Sequence, residues 1–297
     1  MSNKKNINDL SRLEKSTLMR EEFEKESPFE KLFPQQSMVK ISCEKFYQKF
    51  RNKIADLLVA KGIVKEVNFP LEDLHLHISQ EMKDYNFNDG VNKLTALFYE
   101  NDEEFTQIYL DFVKEFLSKN FEFPFYFQAT PTIRIHCPDA KNSDHYPRYH
   151  TDIGYGHPAA EINFWLNLTA PIGEQKHGFR IMTLADSLKI YRAHNYDFET
   201  MVKKAIENKE FNAECTKSAP AVDTAAGEIL ALDSRCFHSG EPLLNHTRIS
   251  MDIRIISVAD YEKLPIIYQG AGRMKILFAP GGCYHNLTSS DLSKITP

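Results

Sequence analysis

The sequence predicts an α+β fold with a mainly β core: an antiparallel double-sheet jelly roll, with N-terminal helices packed on one side and a helical insertion between its halves. Three observations predict it. Apolar residues recur at helical spacing through residue 121 and alternate with polar ones from residue 122 onward. Pro- and Gly-containing loops separate the alternating runs. One charged, helix-patterned block, residues 185–212, interrupts them. The 297 residues are expected to form one domain, 1–121 mainly helical and 122–297 the jelly-roll core that carries the insertion.

The elements follow in order. Residues 8–25 are charged with sparse apolar positions, which suits a surface helix or an arm. Residues 43–61 put Phe46, Phe50, Ile54, Leu57 and Leu58 on one helical face, and residues 102–119 repeat the pattern with Asp102 as N-cap. FPFYFQATPTIRIHC, AEINFWLNLTA, GEILALD and RISMDIRIISV then read as strands. The tail, from residue 272, combines one short strand with a Pro-Gly-Gly turn. The insertion is expected to act as a lid or as a surface decoration.

Composition narrows the partners. A net charge of −5 argues against a nucleic-acid backbone as the main partner. No apolar run is long enough to span a bilayer, so no membrane role is expected. The basic N-terminus is followed by no apolar stretch of the secretory kind, and the five dispersed cysteines contain no C-x-x-C. Both features predict a cytoplasmic protein with reduced thiols. Oligomeric state is not encoded in any pattern of the chain.

Successive side chains on a strand point to opposite faces. In 161–168, Ile162, Phe164, Leu166 and Leu168 share one face, and Glu161, Asn163, Trp165 and Asn167 the other. In 248–255, Ile249, Met251, Ile253 and Ile255 oppose Arg248, Ser250, Asp252 and Arg254. Arg134 and His136 alternate with Ile133 and Ile135. A solvent-facing surface is usually rich in Lys, Glu and Thr. Faces built of Arg, His, Asn, Trp and Ser instead suit a polar cavity that orients a small ligand.

Three residues give that cavity a chemistry. His150 and Asp152 form an H-x-D in YHTDIGYGH, and His238 follows a strand in GEILALDSRCFHSG. Two imidazoles and one carboxylate can occupy one side of an iron ion and leave the other open. Arg248, ten positions after His238, presents a planar fork that matches a carboxylate. Each piece alone is common, since a lone H-x-D is a frequent loop pair and a lone histidine is most often structural; the joint order is what points to a site.

In these motifs the segment from Thr132 to Ile256 resembles the Fe(II)/2-oxoglutarate-dependent oxygenase superfamily. HTDIGYGHPAAEINFWLNLT is similar to phytanoyl-CoA-hydroxylase-like and streptomycin-biosynthesis-type members. The resemblance implies a cupin-like double-stranded β-helix, with His150, Asp152 and His238 as catalytic iron ligands. It also implies Fe(II) as cofactor, 2-oxoglutarate and O2 as co-substrates, and Arg248 with Ser250 as the anchor of the distal 2-oxoglutarate carboxylate. Asn163 is a further candidate for co-substrate contact, and Arg254 a rival anchor on the same strand face as Arg248. Arg134, His136, Tyr155, His157, Trp165 and Arg254 are candidates for substrate contact, with Tyr155 and His157 at the cavity mouth. An intact Asp152 favours hydroxylation, desaturation or ring chemistry over halogenation. The expected activity is a dioxygenase, most simply a hydroxylase, acting on a small polar metabolite or natural-product intermediate. Two alternatives stay open: a hydroxylase of a protein- or carrier-bound group, and a non-enzymatic jelly-roll binding protein in which the same residues are structural or hold zinc.

Overall fold

A ten-residue strand forms the spine of the molecule. The computed structural model describes residues 4–85, 92–98, 102–141, 148–169, 178–240, 245–270 and 276–287. Its strands are β1 (Met38–Ser42), β2 (Phe125–Gln128), β3 (Thr132–His136), β4 (Ile162–Asn167), β5 (Phe179–Ile181), β6 (Glu228–Asp233), β7 (His238–Gly240), β8 (Arg248–Ser257) and β9 (Tyr284–His285). Seven of them make one antiparallel sheet in the order β1-β6-β4-β8-β2-β9, with β3 also on β8. One side of β8 pairs with β4; the other pairs first with β3 and then with β2. The run 123–137 is thus two strands, broken at Ala129–Pro131, where proline has no N–H for the ladder.

The expected alternation holds. Ile162, Phe164, Leu166, Ile249, Met251, Ile253, Ile255, Ile133 and Ile135 are buried on one face of the sheet. They share a core with Phe46, Phe50, Ile54, Leu57 and Leu58 of the helix Glu44–Ala60. Phe105, Tyr109 and Phe112 of the helix Glu103–Phe112 join them. Asp102 caps that helix by accepting from the Phe105 N–H at 2.7 Å. Helices and sheet therefore bury one continuous apolar layer, and the polar sheet face is left to turn inward on the other side.

That polar face is covered by a narrow second sheet, in which β5 pairs antiparallel with β7. Single bridges extend it at each edge, His150 to His238 and Arg180 to Ala221. Among the described residues the architecture is a broad sheet facing a two-stranded one, with helices against the outer face of the broad sheet.

Three features add detail to the expected layout. Within the mainly helical N-terminal part, β1 pairs along β6 as an edge strand; five residues with a half-exposed pattern carry too little periodicity to be read from sequence. Of the two readings for residues 8–25 the structure has the helix, Arg12–Glu24, which buries Leu18, Met19 and Phe23. The insertion is helical and packs inward. Its helices Leu184–Ala193, Phe198–Glu207 and Lys209–Ser218 place Tyr191, Met201 and Cys215 in a second core with Phe23, Tyr149 and Ile153, directly behind the H-x-D segment.

Arg235 fastens the N-terminal segment to the turn that precedes β7. It is 1% exposed. Its guanidinium donates to Asp233 at 2.9 and 2.7 Å, to the Phe23 carbonyl at 3.0 Å and to Ser27 Oγ at 3.1 Å, and pairs with Glu30. Removing one partner of a buried ion pair strands the other. Arg235→Met is therefore expected to cost about 3–5 kcal/mol in urea unfolding; a loss under about 1 kcal/mol, the size of an exposed pair, would contradict this account.

Candidate metal centre

The two histidines are brought together by backbone, not by side-chain packing alone. The His150 N–H donates to the His238 carbonyl at 3.0 Å, and the His238 N–H to the His150 carbonyl at 2.9 Å. This antiparallel pair sets the imidazoles side by side, with ring centroids 4.5 Å apart. Each ring directs Nδ1 at the carbonyl two residues earlier, Arg148 at 2.8 Å and Cys236 at 3.0 Å. A carbonyl can only accept, so Nδ1 carries the proton and the Nε2 lone pair is left for a metal.

Asp152 follows in a tight turn, Asp152–Tyr155, closed by Gly156. Gly156 has φ +89°, and a Cβ there would lie 2.4 Å from the Gln269 carbonyl oxygen, so only glycine fits. The turn carries Asp152 Oδ1 to 3.9 Å from His150 Nε2 and 3.6 Å from His238 Nε2. All three ligand atoms lie within 4.8 Å of one another, close enough to share one ion. Tyr191 of the insertion braces the turn by hydrogen bonding Thr151, and Asn212 accepts from the Tyr149 N–H at 3.0 Å.

Electrostatics favour a metal over a proton. Burial, reinforced by the His238 ring, pushes the His150 imidazole down to about 3. Burial alone would raise the Asp152 carboxyl, but Arg254, then His238, hold it well below the usual carboxylate range. At neutral pH the site thus offers a neutral His150 ring and an ionised Asp152 carboxylate, the forms that bind metal.

A small polar cleft of about 40 Å³ opens beside the triad. Arg248, Ser250, Asp252 and Arg254 line it from β8, Trp165 from β4, Arg134 from β3 and Phe179 from β5. Arg248 is 1% exposed and donates to the Gly178 carbonyl; a Cβ on Gly178 would lie 2.9 Å from Arg248 Cδ. Ser250 Oγ is buried in the cleft wall without a hydrogen-bond partner among the described residues. A buried hydroxyl left so beside a guanidinium suits an incoming carboxylate.

The other sequence candidates divide. Arg134 lines the cleft and pairs with Asp252 at 2.9 Å. Trp165 stacks on Phe179 with centroids 4.9 Å apart, and Phe179 stacks in turn on His238 at 5.6 Å. Four of them have partners within the chain. Arg254 pairs with Asp152 at 2.6 Å and is not available as an anchor. Asn163 donates to Asp152 Oδ2 at 2.6 Å, so its amide serves the carboxylate ligand. His136, across from Arg248 in the register, is buried in contact with Tyr85. His157 is no mouth residue: it bonds Glu161 at 2.8 Å and packs on Phe278 with centroids 3.9 Å apart. Tyr155, 40% exposed, meets the His150 ring edge-on at 5.1 Å and lines a separate crevice behind it. Phe179 was missed because β5 is three residues long and gives no period; Asp252 was placed on the right face by alternation but given no role.

No protein-family model matches the chain. A stretch is similar to the streptomycin biosynthesis protein StrG of Streptomyces griseus, 32% identical over 76 residues, 26% of this chain and 36% of that protein. The chain thus matches about a third of the length of that curated relative. Among solved structures it is similar to the non-haem α-ketoglutarate-dependent carbocyclase SnoK from nogalamycin biosynthesis (TM-score 0.44, 13% identity, 98% of this chain and 92% of that one). It is also similar to HygX from Streptomyces hygroscopicus, solved with nickel and 2-oxoglutarate bound (TM-score 0.44, 11% identity, 77% and 85%), and to EvdMO1 (TM-score 0.46, 12% identity, 77% and 49%). At these values overall likeness carries no argument about chemistry, which rests on the geometry of the site. Among the described residues, no helix is long and apolar enough to cross a membrane.

The depressed His150 gives a testable pH dependence. An unfolded histidine accepts a proton near 6.5, whereas the folded ring resists it to about 3. Stability of the metal-free protein is thus intact above about 6.5 and falls as pH drops toward 3, by up to about 1.4 kcal/mol per unit for this group. Urea midpoints of chelator-treated protein should fall across that window, and His150→Gln should flatten the slope. An unchanged slope in the variant removes His150 as its source.

Proposed function

We propose that the chain is an Fe(II)/2-oxoglutarate-dependent dioxygenase, one oxygenase domain that oxidises a small polar metabolite. The observation that carries the reading is the His150–Asp152–His238 cluster, with three ligand atoms within 4.8 Å and a polar cleft on its open side. Two neutral imidazoles and one carboxylate form the facial ligand set of non-haem iron oxygenases, and that donor set fits the cluster. When bound, the ion would supply dioxygen activation coupled to conversion of 2-oxoglutarate into succinate and CO2, with one oxygen atom left for the substrate.

The chain's own residues do the rest. His150 and His238, oriented by the Arg148 and Cys236 carbonyls, and Asp152 through Oδ1, would hold the metal. Arg248, with the unpartnered Ser250 hydroxyl, would take the distal carboxylate of the co-substrate. Phe179 and Trp165 wall the cleft and limit water beside the metal. The Arg134–Asp252 pair offers a donor fork and an acceptor to a polar substrate, which favours a polar metabolite over an acyl chain.

The deciding measurement is 2-oxoglutarate-dependent succinate release by chelated protein reloaded with Fe(II). His150→Ala or Asp152→Ala should lower turnover by about 100-fold or more without unfolding the chain, since even outer partners of a metal ligand are worth about 10–100-fold. Full turnover in either variant would sink the metal assignment. Arg248→Ala should raise the KM for 2-oxoglutarate by about 10–100-fold, the weight of a lost bidentate charged pair. An unchanged KM would move the anchor elsewhere in the cleft. Protein that binds neither iron nor 2-oxoglutarate would support the non-enzymatic reading.

A further inference from the structure

The two oxygens of Asp152 are treated differently by the fold. Oδ1 faces the histidine Nε2 atoms. Oδ2 faces away and accepts two N–H groups, Asn163 Nδ2 at 2.6 Å and Arg254 Nε at 2.7 Å, while Arg254 Nη2 lies 2.6 Å away as an ion-pair contact. The carboxylate is 2% exposed, so water does not compete for these contacts. Asn163 and Arg254 stand directly opposite each other in the β4–β8 register, which aims both at one point.

We infer that Arg254 and Asn163 are positioning residues, which lock Asp152 as a one-oxygen ligand and so keep a coordination position open on the metal. The inference rests on the metal reading proposed above. With Oδ2 held by two N–H donors and the Arg254 charge, rotation to offer both oxygens to an ion would break short, charge-assisted hydrogen bonds.

Arg254 is itself fixed from behind. Gln128 Oε1 accepts from its Nη1 at 3.1 Å, and Gln128 cannot flip freely because its amide N–H donates to the Thr130 carbonyl at 2.8 Å. The Glu161 carboxylate lies 3.9 Å from Arg254 Nε. Glu161 is 1% exposed and is held by the Tyr284 hydroxyl and by His157 at 2.8 Å. A line of contacts thus runs from β9 through Glu161 and Arg254 to the metal ligand. It accounts for a buried glutamate, and for His157, which the cleft itself does not use.

Neutralising Asp152 by charge alone would need no fork. Arg254→Lys separates the two accounts, because it keeps the charge and loses the planar two-point geometry. Asn163→Leu removes one donor with no change of charge, and carries the same test if the lysine variant does not fold. Chelator-treated full-length proteins are titrated with Co(II), with affinity and the visible absorption band read together. Each variant should bind Co(II) about 10–100-fold more weakly than the unaltered protein. The band should also change in intensity, reporting an altered coordination number, while far-UV dichroism stays the same. The two substitutions combined should cost less than their sum, since both act on one oxygen. Unaltered affinity and band in both variants overturn the inference and leave the metal reading standing. An unaltered protein that takes up no Co(II) overturns the metal reading, and this inference with it.

Discussion

The structure depends on how charge is buried on the inner face of β8. Arg248, Asp252 and Arg254 point into a cleft between two sheets, and Asp152 is carried in to meet them. A buried charge left alone costs several kcal/mol, so each must be paired within the chain. Arg254 takes Asp152, Arg134 takes Asp252, and Arg248 reaches the Gly178 carbonyl. Because these partners come from different parts of the chain, satisfying them fixes how the H-x-D segment, β3 and the start of β5 sit over the broad sheet. The geometry of the His150–Asp152–His238 cluster follows from that pairing.

Around this charged face the apolar parts act as scaffolding. The long strand is isoleucine-rich on its outer side, and the helices Glu44–Ala60 and Glu103–Phe112 cover it. The insertion and the N-terminal helix build a second core against the H-x-D segment. The triad is therefore clamped between a rigid sheet and a helical block, and the His150–His238 backbone pair transmits that rigidity to the ring nitrogens. Rigid support on both sides is what a metal site needs, since ligand atoms must be held to within a fraction of an ångström.

Much of this was legible in the sequence, for a physical reason. Alternation has a period of two, so it assigned Ile249, Met251, Ile253 and Ile255 to the core and Arg248, Ser250, Asp252 and Arg254 to the cleft, before any pairing was known. Helical spacing likewise placed Phe46, Phe50 and Ile54 in the core. The joint order of His150, Asp152 and His238 marked them as a candidate ligand set, and the fold brings their ligand atoms within 4.8 Å through the His150–His238 backbone pair. Short elements escaped, because β1 and β5 are too brief to show a period.

Residue type and periodicity determine which side of an element a group occupies, because those depend on neighbours along the chain. They do not determine what a group meets there. Arg248 and Arg254 are equivalent by sequence, two arginines on one face of one strand. Only the tertiary structure separates them: Arg254 lies across from Asn163 and within reach of Asp152, whereas Arg248 lies across from His136 at the other end of the cleft. The same holds for Asn163, Glu161 and His157, whose partners are set by strand register and by loop closure. Side-chain identity is local, but pairing is decided by which distant segments the fold brings into contact.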